Sequence, residues 1–416
     1  MLDVNFIREN KEKVKKGVAA KQLDSALVDE VLELYNKWTK KLQVYEKIAQ
    51  ERNRIAKEGK YSDVGKKLKQ ELKDAELEVA KSYKEYIDIA LQIPNLPAPD
   101  VKVGKDETEN EVIRKWGEPK KFDFKPKDHL ELGELLDIID VKRAGKVSGS
   151  RFGYLKNEVV ILEFALVRLA FDTLVKEGFI PVVPPVMIKN EMMQGMGYLE
   201  HGGEENMYLL EKDGLILVGT SEQSLGPMHQ SEVFEEKDLP RRYVGFSSCF
   251  RREAGAYGKD TRGIFRVHQF DKVEMFSFTK PEESDKEHEY LLSLEEKLTQ
   301  MFEKISYRVV KMCSGDLGAP AARKYDIECW IPSQNKYRET HSTSTCTDYQ
   351  ARRLNIKFRK NNETEFVHTI NGTAFAIGRM IIAILENYQE KDGTVTIPKV
   401  LVPYCGFTKI LPKNHR

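Results

Sequence analysis

Two long stripes of apolar residues at helical spacing constrain the fold of this 416-residue chain more than any other feature. The first stripe, with members mostly three or four positions apart, comprises Leu27, Val31, Leu34, Trp38, Leu42, Tyr45, Ile48 and Ile55. The second comprises Leu68, Leu72, Ala75, Val79, Tyr83, Tyr86, Ala90 and Ile93. Each stripe is typical of one helix face, and the intervening segment EGKYSDVG contains turn-forming residues. The pattern predicts an antiparallel coiled-coil hairpin, about 45 Å long at 1.5 Å per residue.

Positive charge is concentrated at the predicted tip of this hairpin. Residues 52–69 contain two acidic side chains, and the whole chain has a formal net charge of only +1. The seven basic residues of the tip are Arg52, Arg54, Lys57, Lys60, Lys66, Lys67 and Lys69. A cationic end on a projecting rod suits contact with nucleic-acid phosphates, although a solvated charged tip fits the pattern equally well.

The remaining composition excludes several classes of protein. The five cysteines are odd in number and include no C-x-x-C pair, which is typical of reduced thiols and predicts neither a disulfide framework nor a structural zinc site. The most apolar segment, AFAIGRMIIAIL, is interrupted by Arg379 and is too short to span a membrane. We therefore predict a cytoplasmic location without a membrane partner.

A change of pattern divides the chain into two predicted domains. Residues 94–126 hold five of the sixteen prolines and are typical of a non-helical connector, which places the boundary near residue 105. We predict a helical-hairpin domain over residues 1–105 and a larger domain over residues 106–416. In the larger domain VVILEFALVRLAFDTLVKEG has helical spacing, and the runs rich in strand formers are GFIPVVPPVMI, GLILVGT, RYVGFSSCFRRE and IFRVHQFDKVEMFSF. Successive strands without intervening helices favour antiparallel pairing.

Charged and apolar side chains alternate in FRREAGAYGKDTRGIFRVHQFDKVE, residues 250–274. Because side chains of a strand alternate between its faces, Arg251 and Glu253 are predicted to share one face. On the returning strand, the residues predicted to share a face opposite Val267, Val273 and Met275 are Arg266, His268, Phe270, Lys272 and Glu274. A half-solvated antiparallel sheet gives the same pattern, but the long glycine-rich loop between the two strands favours a binding site.

Two further segments show a comparable grouping. In LVGTSE, Thr220 and Glu222 are predicted to share a face. In INGTAFAIGR, the small residues predicted to share a face are Gly372, Ala374, Ala376 and Gly378. Small side chains let a ligand lie close to the backbone, an arginine fork suits phosphate oxygens, and an aromatic ring suits a base. Together these groups suit a nucleotide and a small substrate with a cationic head.

These motifs resemble those of the seryl-tRNA synthetases, a family of class II aminoacyl-tRNA synthetases, over essentially the whole chain. FRREAG, DTRG and HQFDKVE resemble motif 2 (about 249–276), GFIPVVPPVM resembles motif 1 (about 178–187), and NGTAFAIGRMIIAILENYQ resembles motif 3 (about 371–389). YDIECWIPSQNKYRET and CTDYQARRLNI resemble two further blocks of the family. The resemblance implies an α+β fold, with an antiparallel sheet of about six or seven strands flanked by helices and an N-terminal coiled-coil arm for serine tRNA. It also implies a homodimer across motif 1, with Pro185 at the interface.

The resemblance implies a role for each matching residue. The implied serine-binding residues are Thr220, Ser221, Glu222, Arg251, Glu274, Asn371 and Thr373. The implied ATP-binding residues are Arg251, Arg252, Glu253, Val267, Phe270, Glu339, Thr340, His341, Ser342 and Arg379. Glu339 and Ser342 would hold Mg²⁺, and the basic residues of the tip would contact tRNA. The implied reaction forms seryl-adenylate from L-serine and ATP and transfers serine to the 3′ end of tRNA(Ser), and also of tRNA(Sec).

Two other functions stay open at this level. A paralogue that loads an amino acid onto a carrier protein would have a similar catalytic domain, but such relatives lack the hairpin that this sequence predicts. A catalytically inactive coiled-coil regulatory protein would have lost one or more of four residues, Arg251, Glu274, Glu339 and Arg379, and all four are present.

Overall fold

The computed structural model describes residues 1–57, 63–254 and 262–415. The chain divides into two compact units, Met1–Leu96 and Pro97–Arg416. The predicted boundary near residue 105 falls inside the second unit, because the segment that begins the unit hydrogen-bonds to the rest of it. The backbone N–H of Ala98 donates to the carbonyl of Ala322 at 2.8 Å, and that of Ser314 donates to Lys102 at 2.9 Å.

The first unit is built from helices. They are α1 (Val4–Glu9), α2 (Lys11–Ala20), α3 (Ala26–Lys57) and α4 (Asp63–Ala90). The carboxylate of Asp3 caps α1 by accepting from the backbone N–H groups of Asn5 and Phe6, which a helix start leaves without intrahelical partners. Ile7 of α1 and Val28 of α3 belong to one buried apolar cluster, which joins the short helices to the start of the long hairpin.

Helices α3 and α4 form the predicted antiparallel hairpin. Lys37 pairs with Glu85 at 2.8 Å and Lys41 pairs with Glu78 at 2.6 Å, so residue numbers fall along one helix as they rise along the other. Helix α3 has 32 residues, which correspond to about 48 Å at 1.5 Å per residue. The coiled-coil arm predicted from the two apolar stripes is therefore confirmed.

The second unit combines helices with several sheets. Its helices are α5 (His129–Leu135), α6 (Val141–Ser148), α7 (Glu158–Lys176), α8 (Asn190–Met196), α9 (Glu222–Leu225), α10 (Ser284–Gln300), α11 (Tyr349–Leu354), α12 (Ile377–Tyr388) and α13 (Val402–Cys405). Its first strands are β1 (Glu111–Trp116), β2 (Ile139–Asp140), β3 (Tyr154–Leu155), β4 (Ile180–Val182), β5 (Met187–Lys189), β6 (Tyr208–Leu210), β7 (Leu215–Leu217), β8 (Val233–Glu235) and β9 (Arg241–Phe250). The later strands are β10 (Gln269–Thr279), β11 (Tyr307–Lys311), β12 (Arg323–Ile331), β13 (Lys336–Thr347), β14 (Lys357–Lys360), β15 (Glu363–Phe366), β16 (His368–Ala376), β17 (Val395–Thr396) and β18 (Lys409–Ile410).

The main sheet has eight strands within the described residues, in the order β1-β11-β12-β13-β16-β10-β9-β4. Neighbouring strands run antiparallel except for β4, which runs parallel to β9. The predicted antiparallel sheet is thus confirmed, and it is wider than the six or seven strands that the resemblance implied. Strand β1 lies in the predicted connector, and its side chains are almost all exposed. Because neither face of this strand is buried, its sequence shows no alternation of apolar and polar residues from which the strand could be predicted.

Alternation along β10 and β16 gives the main sheet an apolar face and a polar face. Val273 and Met275 of β10 and Ala374 of β16 lie in the main hydrophobic core, to which α7, α10 and α12 also contribute. Helix α12 is buried along almost its whole length because it packs within this core. Across the ranges that the structure describes, no helix has both the length and the apolar character needed to cross a membrane. Charged side chains project from the opposite, polar face of the sheet.

Candidate active site

A cavity of about 540 Å³ is lined by the polar face of the main sheet. Strand β10 contributes Phe270, Lys272 and Glu274, and β16 contributes Asn371 and Thr373. Residues of β13 and of the segment after β9 also line the cavity, among them Glu339, Thr340, Ser342, Arg251 and Glu253. The volume lies within the range of about 300–1,000 Å³ that is typical of small-molecule sites.

Three separate segments of the chain hold the carboxylate of Glu222. Its Oε1 accepts from the Tyr198 hydroxyl at 2.8 Å, from Asn371 Nδ2 at 3.0 Å and from Gln350 Nε2 at 3.4 Å. Burial, together with the nearby negative charge of Glu274, raises the pKa of Glu222 to about 7. A cation in the cavity would favour the ionised form, so this carboxyl is suited to bind an ammonium group.

A second carboxylate, that of Glu274, is paired with a lysine. Lys272 Nζ lies 2.5 Å from Glu274 Oε2, and the Thr373 hydroxyl donates to the same oxygen at 3.3 Å. Gly245 lies opposite Glu274 in the strand ladder, where a Cβ atom would come within 2.9 Å of Leu225 Cδ1. The close packing of Leu225 against this glycine therefore requires the absence of a side chain there.

An arginine and an aromatic ring face each other elsewhere in the cavity lining. The guanidinium carbon of Arg251 lies 5.2 Å from the ring centroid of Phe270, and Arg251 Nε donates to the carbonyl of Gly219 at 3.1 Å. The backbone N–H of Arg251 donates to His268 at 2.9 Å, which joins the segment after β9 to the segment before β10. The arrangement presents a planar cation and a flat apolar face side by side, as a nucleotide site requires.

Glu253 follows Arg251 on the same side of the cavity. Its backbone has a φ of +52°, an uncommon conformation for a residue with a side chain, and its carboxylate pairs with Arg266 at 2.9 Å. The glycine-rich segment AGAYGKD begins directly after it, and residues 255–261 lie outside the described residues. Backbone strain at a ligand-facing residue is typical of a functional site.

A third carboxylate, that of Glu339, lies among positive charges. Arg379 Nη1 is 3.0 Å from its carboxylate and also donates to its backbone carbonyl at 3.2 Å. Burial alone would raise the pKa of Glu339, but the charges of Arg379, Lys324, Arg251 and Lys272 together lower it to about 2. Glu339 is therefore ionised over the whole physiological pH range.

Most of the predicted substrate-binding residues meet in this one cavity, but three do not line it. Ser221 is buried, with its Oγ 2.8 Å from Ser247 Oγ. Arg252 is exposed, and His341 is buried with its Nδ1 2.9 Å from the hydroxyl of Thr340. All three adjoin residues that do line the cavity, and only His341 lies within a strand, where neighbouring side chains alternate between faces.

The prediction that four small residues share the ligand-facing side is wrong for two of them. Gly372 faces Glu295, whose Oε1 lies 3.1 Å from the position of a Cβ atom there, and Ala374 belongs to the hydrophobic core. Ala376 and Gly378 do line the cavity. A register shift between the pairs Val273–Phe375 and Glu274–Thr373 skips Ala374 and interrupts the alternation of β16, so Ala376 faces the cavity opposite Lys272, and Gly378 lies beyond the strand in α12.

Several residues of the lining were not among the predicted site residues, and Lys272 and Tyr198 are the two that contact the carboxylates of the site. Alternation predicts that Lys272 lies on the charged face of its strand, but it predicts no role for this residue. Its position two residues before Glu274 indicates that the two side chains share a face. Tyr198 belongs to the segment that follows α8, and nothing in GMGYLE predicts that its hydroxyl reaches Glu222.

Metal ligands are sparse around the cavity. In the described part of the chain, no three His, Cys, Asp or Glu side chains are grouped so that they could hold a metal ion. All five cysteines are buried free thiols. Glu339 and Ser342, the residues predicted for magnesium, both line the cavity.

Comparisons with known proteins match both parts of the chain. Residues 1–97 match the family model of the seryl-tRNA synthetase N-terminal domain, and residues 208–388 match that of the class II tRNA synthetase core domain (G, H, P, S and T). The serine–tRNA ligase of Dictyoglomus turgidum is 48% identical and aligns over 100% of both chains.

Two solved structures have the same fold over the whole chain. A crystal structure of seryl-tRNA synthetase from Pyrococcus horikoshii complexed with ATP is 45% identical, with a TM-score of 0.91 over 99% of this chain and 100% of that one. Cytoplasmic serine–tRNA ligase from Naegleria fowleri in complex with AMP is 36% identical, with a TM-score of 0.88 over 100% of this chain and 99% of that one.

Replacing Glu222 by glutamine should stabilise the protein in a pH-dependent manner. The pKa of a glutamate in an unfolded chain is about 4.3, whereas in the folded protein the pKa of Glu222 is raised to about 7. The stabilising contribution of the protonated carboxyl is complete below the unfolded value and is lost as the pH rises through about 7. We expect Glu222→Gln to raise the Tm at pH 8 more than at pH 5, as measured by scanning calorimetry.

The exposed Glu211 provides the matched control for this change. Glu211→Gln alters no buried charge, so its Tm should follow that of the unmodified protein at both pH values. A Glu222→Gln protein whose Tm difference from the unmodified protein is the same at both pH values would contradict the burial of an ionisable carboxyl.

Proposed function

The chain belongs to the seryl-tRNA synthetase family, and from this membership we propose how its cavity ligates serine to tRNA. Relatives named serine–tRNA ligase align over its full length, so the chain is an ATP-dependent aminoacyl-tRNA ligase. The observation that carries the assignment of the site is a single cavity that joins buried carboxylates to an arginine and an exposed ring face. This combination suits a cationic amino acid head beside a nucleotide.

We assign the arginine and aromatic side of the cavity to ATP. Phe270 stacks on adenine, with Val267 beside it, Glu253 accepts from the adenine amino group, and Arg251 binds the α-phosphate. The contact between Arg251 and the Phe270 ring supports this assignment, because it places a planar cation for phosphate directly beside an aromatic face for a base. Arg379 binds the γ-phosphate from the start of α12.

We assign the acidic side of the cavity to serine. Glu222 and Glu274 bind its ammonium and hydroxyl groups, and Asn371 and Thr373 complete the pocket together with Thr220. Thr373 supplies a hydroxyl, and its donation to Glu274 supports a shared hydrogen-bond network. A pocket built to bond a hydroxyl disfavours alanine, because alanine leaves buried partners unpaired.

Both chemical steps depend on positioning and charge neutralisation. In the first, a carboxylate oxygen of serine attacks the α-phosphorus, the bond to the bridging oxygen breaks, and pyrophosphate leaves with the electron pair. In the second, a hydroxyl of the terminal adenosine of tRNA attacks the seryl carbonyl, loses its proton, and AMP leaves. Arg251 offsets the negative charge that develops on phosphorus oxygens in the first step.

Glu339 and Ser342 fit the magnesium ion that accompanies ATP. Mg²⁺ favours one or two carboxylates together with substrate phosphates and water. Glu339 supplies an ionised carboxylate, since its pKa is lowered to about 2, and Ser342 supplies a hydroxyl in the same cavity. When bound, the ion would neutralise phosphate charge, and Glu339 and Ser342 would orient it.

We propose that the hairpin of α3 and α4 binds tRNA(Ser), and also tRNA(Sec). Six of the seven basic residues predicted for this contact, Arg52, Arg54, Lys57, Lys66, Lys67 and Lys69, are exposed, and Lys60 lies outside the described residues. Exposed cations on the arm support phosphate contact. The presence of the hairpin argues against a paralogue that loads a carrier protein.

We propose a homodimer built across motif 1, which contains β4 and the start of β5, together with the preceding helix α7. Strand β4 is the edge of the main sheet, and Pro185 after it is exposed. Exposed apolar side chains recur on these elements at Ile161, Phe164, Val175, Ile180, Val183 and Met187. Such a concentration is unusual on a monomer and supports burial against a second copy.

A cytoplasmic location is also proposed. The five cysteines form no disulfide, which supports a reducing compartment. An inactive regulatory protein would not need its charged residues in one cavity, whereas Arg251, Glu274, Glu339 and Arg379 all line it.

Serine-dependent exchange of labelled pyrophosphate into ATP tests the assignment of the site. We expect exchange with L-serine and a selectivity over alanine of about 10⁴, because alanine cannot satisfy the hydroxyl partners. Arg251→Ala should lower kcat by about 10²–10³, since it removes a charge opposite the reacting phosphate. Lys280→Ala, just beyond β10, is the control and should leave exchange unchanged. Faster exchange with alanine, glycine or threonine would overturn the serine assignment.

Charge reversal at the arm tip should separate tRNA binding from catalysis. We expect Lys66→Glu/Lys67→Glu/Lys69→Glu to reduce tRNA charging about tenfold or more, to flatten its salt dependence, and to leave pyrophosphate exchange intact. Lys81→Glu/Lys84→Glu, toward the other end of α4, is the matched control. Equal effects of the two variants on charging would argue against a tRNA contact at the tip.

Disrupting the exposed apolar surface should dissociate the dimer. Phe164 of α7 is 58% exposed, and Val44 of α3 is 54% exposed. We expect Phe164→Glu to sediment as a monomer in analytical ultracentrifugation and Val44→Glu to remain dimeric, because only the first places a charge in the proposed interface. A dimeric Phe164→Glu protein would contradict this interface.

A further inference from the structure

Lys272 projects from β10 into the cavity between two residues with different proposed roles. Phe270 precedes it by two positions and Glu274 follows it by two, and all three line the cavity. A strand rises about 3.3–3.4 Å per residue, so the Cα atom of each neighbour lies about 7 Å away. Lys272 therefore lies between the ring assigned to adenine and the carboxylate assigned to serine.

The surroundings of Lys272 allow its side chain to change direction. In the strand ladder it is opposite Ser247 of β9 and Ala376 of β16, which are both small. Its side chain is 9% exposed, and its Nζ lies 2.5 Å from Glu274 Oε2. A buried ammonium group needs an anionic partner, as does a buried carboxylate. Lys272 can therefore leave Glu274 only when a second cation replaces it there and a second anion receives it.

An aminoacyl-adenylate offers both charges in the required order. Its base is at one end, its ammonium group is at the other, and its phosphate lies between them. With adenine on Phe270 and the ammonium group at Glu222 and Glu274, the phosphate falls beside Lys272. The order of groups along the ligand thus matches the order of residues along β10.

We propose that Lys272 exchanges partners during catalysis: the ammonium group of serine replaces it at Glu274, and Lys272 turns to the α-phosphate of ATP. This inference rests on the function proposed above and adds a coupling to it. Binding of the amino acid frees a cation for the nucleotide, so each substrate strengthens the binding of the other. Lys272 is then a catalytic residue that contacts the reacting phosphate.

The exchange places a second cation where charge accumulates. As the serine carboxylate oxygen bonds to the α-phosphorus and the bond to the bridging oxygen breaks, pyrophosphate carries away the electron pair. The ammonium group of Lys272 acts beside Arg251 on the oxygens of that phosphorus and keeps its own protons. No further reactant is needed.

Two serine analogues test the exchange in the unmodified protein. Serinol retains the ammonium group and hydroxyl of serine but lacks the carboxylate, whereas glycerate retains the carboxylate but has a hydroxyl in place of the ammonium group. Serinol cannot be adenylated, but glycerate retains the carboxylate that attacks ATP, so binding is measured by titration calorimetry with Mg²⁺ and α,β-methylene-ATP, whose bridge cannot be cleaved and which stands in for ATP. We expect saturating serinol to lower the Kd of ATP about fivefold or more, and glycerate to leave it unchanged or raise it.

Lys272→Met should remove this coupling. In that variant the Kd of ATP should be the same with and without serinol, and kcat for pyrophosphate exchange should fall about 10²-fold. Lys280→Met, just beyond the end of β10, is the matched control. It should retain both the effect of serinol on ATP binding and the kcat of pyrophosphate exchange. A thermal melt establishes that the variant is folded. If it is not folded, the comparison of serinol with glycerate in the unmodified protein decides the question alone.

The outcomes separate this inference from the assignment of the enzyme. If the unmodified protein shows no serine-dependent exchange, the proposed function fails. If exchange occurs but serinol and glycerate affect ATP binding alike, or Lys272→Met retains the effect of serinol, the proposed exchange of partners is overturned while the ligase function stands. If the ion pair between Lys272 and Glu274 were purely structural, its removal would change the stability of the protein but not the effect of serinol on ATP binding.

Discussion

Two carboxylates of like charge, Glu222 and Glu274, share a mostly buried cavity, and this constraint shapes the rest of the site. Each needs hydrogen-bond donors or a cation, because an unsatisfied charge in a low-dielectric interior is costly. Three neutral donors surround one oxygen of Glu222, whereas Glu274 is held by Lys272. The pocket between the two carboxylates is therefore negatively charged and suits an ammonium group. Serine has such a group, whereas a nucleotide does not.

The fold meets this constraint by separating packing from chemistry on single strands. On β10, Val273 and Met275 are buried in the core that α7, α10 and α12 share, while Lys272 and Glu274 face the cavity. The side chains of the site therefore project from a backbone whose other face is fixed by close packing. A serine–tRNA ligase gains from this arrangement, because the barrier of an in-line displacement depends strongly on position.

Periodicity predicted the hairpin and the charged face of β10, because helices and strands impose regular spacing on the residues they bury. It failed where regular structure ends. Thr220 and Glu222 both line the cavity, but β7 ends at Leu217 and α9 begins at Glu222, so a turn and not strand alternation brings them together. The role of Tyr198 could not be read from the sequence, since its contact with Glu222 depends on tertiary packing. The match over the whole chain confirms the family resemblance, whereas the roles that the resemblance implies for individual residues stay predictions.

The convergence of donors on Glu222 Oε1 has a consequence for how the enzyme matures. Tyr198, Gln350 and Asn371 come from segments far apart in sequence, and they meet at a single oxygen atom only when α8, α11 and β16 have all been assembled. A nascent or partly folded chain consequently lacks the amino acid pocket, even if its nucleotide-facing strands have already paired. Recognition of the amino acid therefore depends on the complete tertiary fold and not on any one segment of the chain.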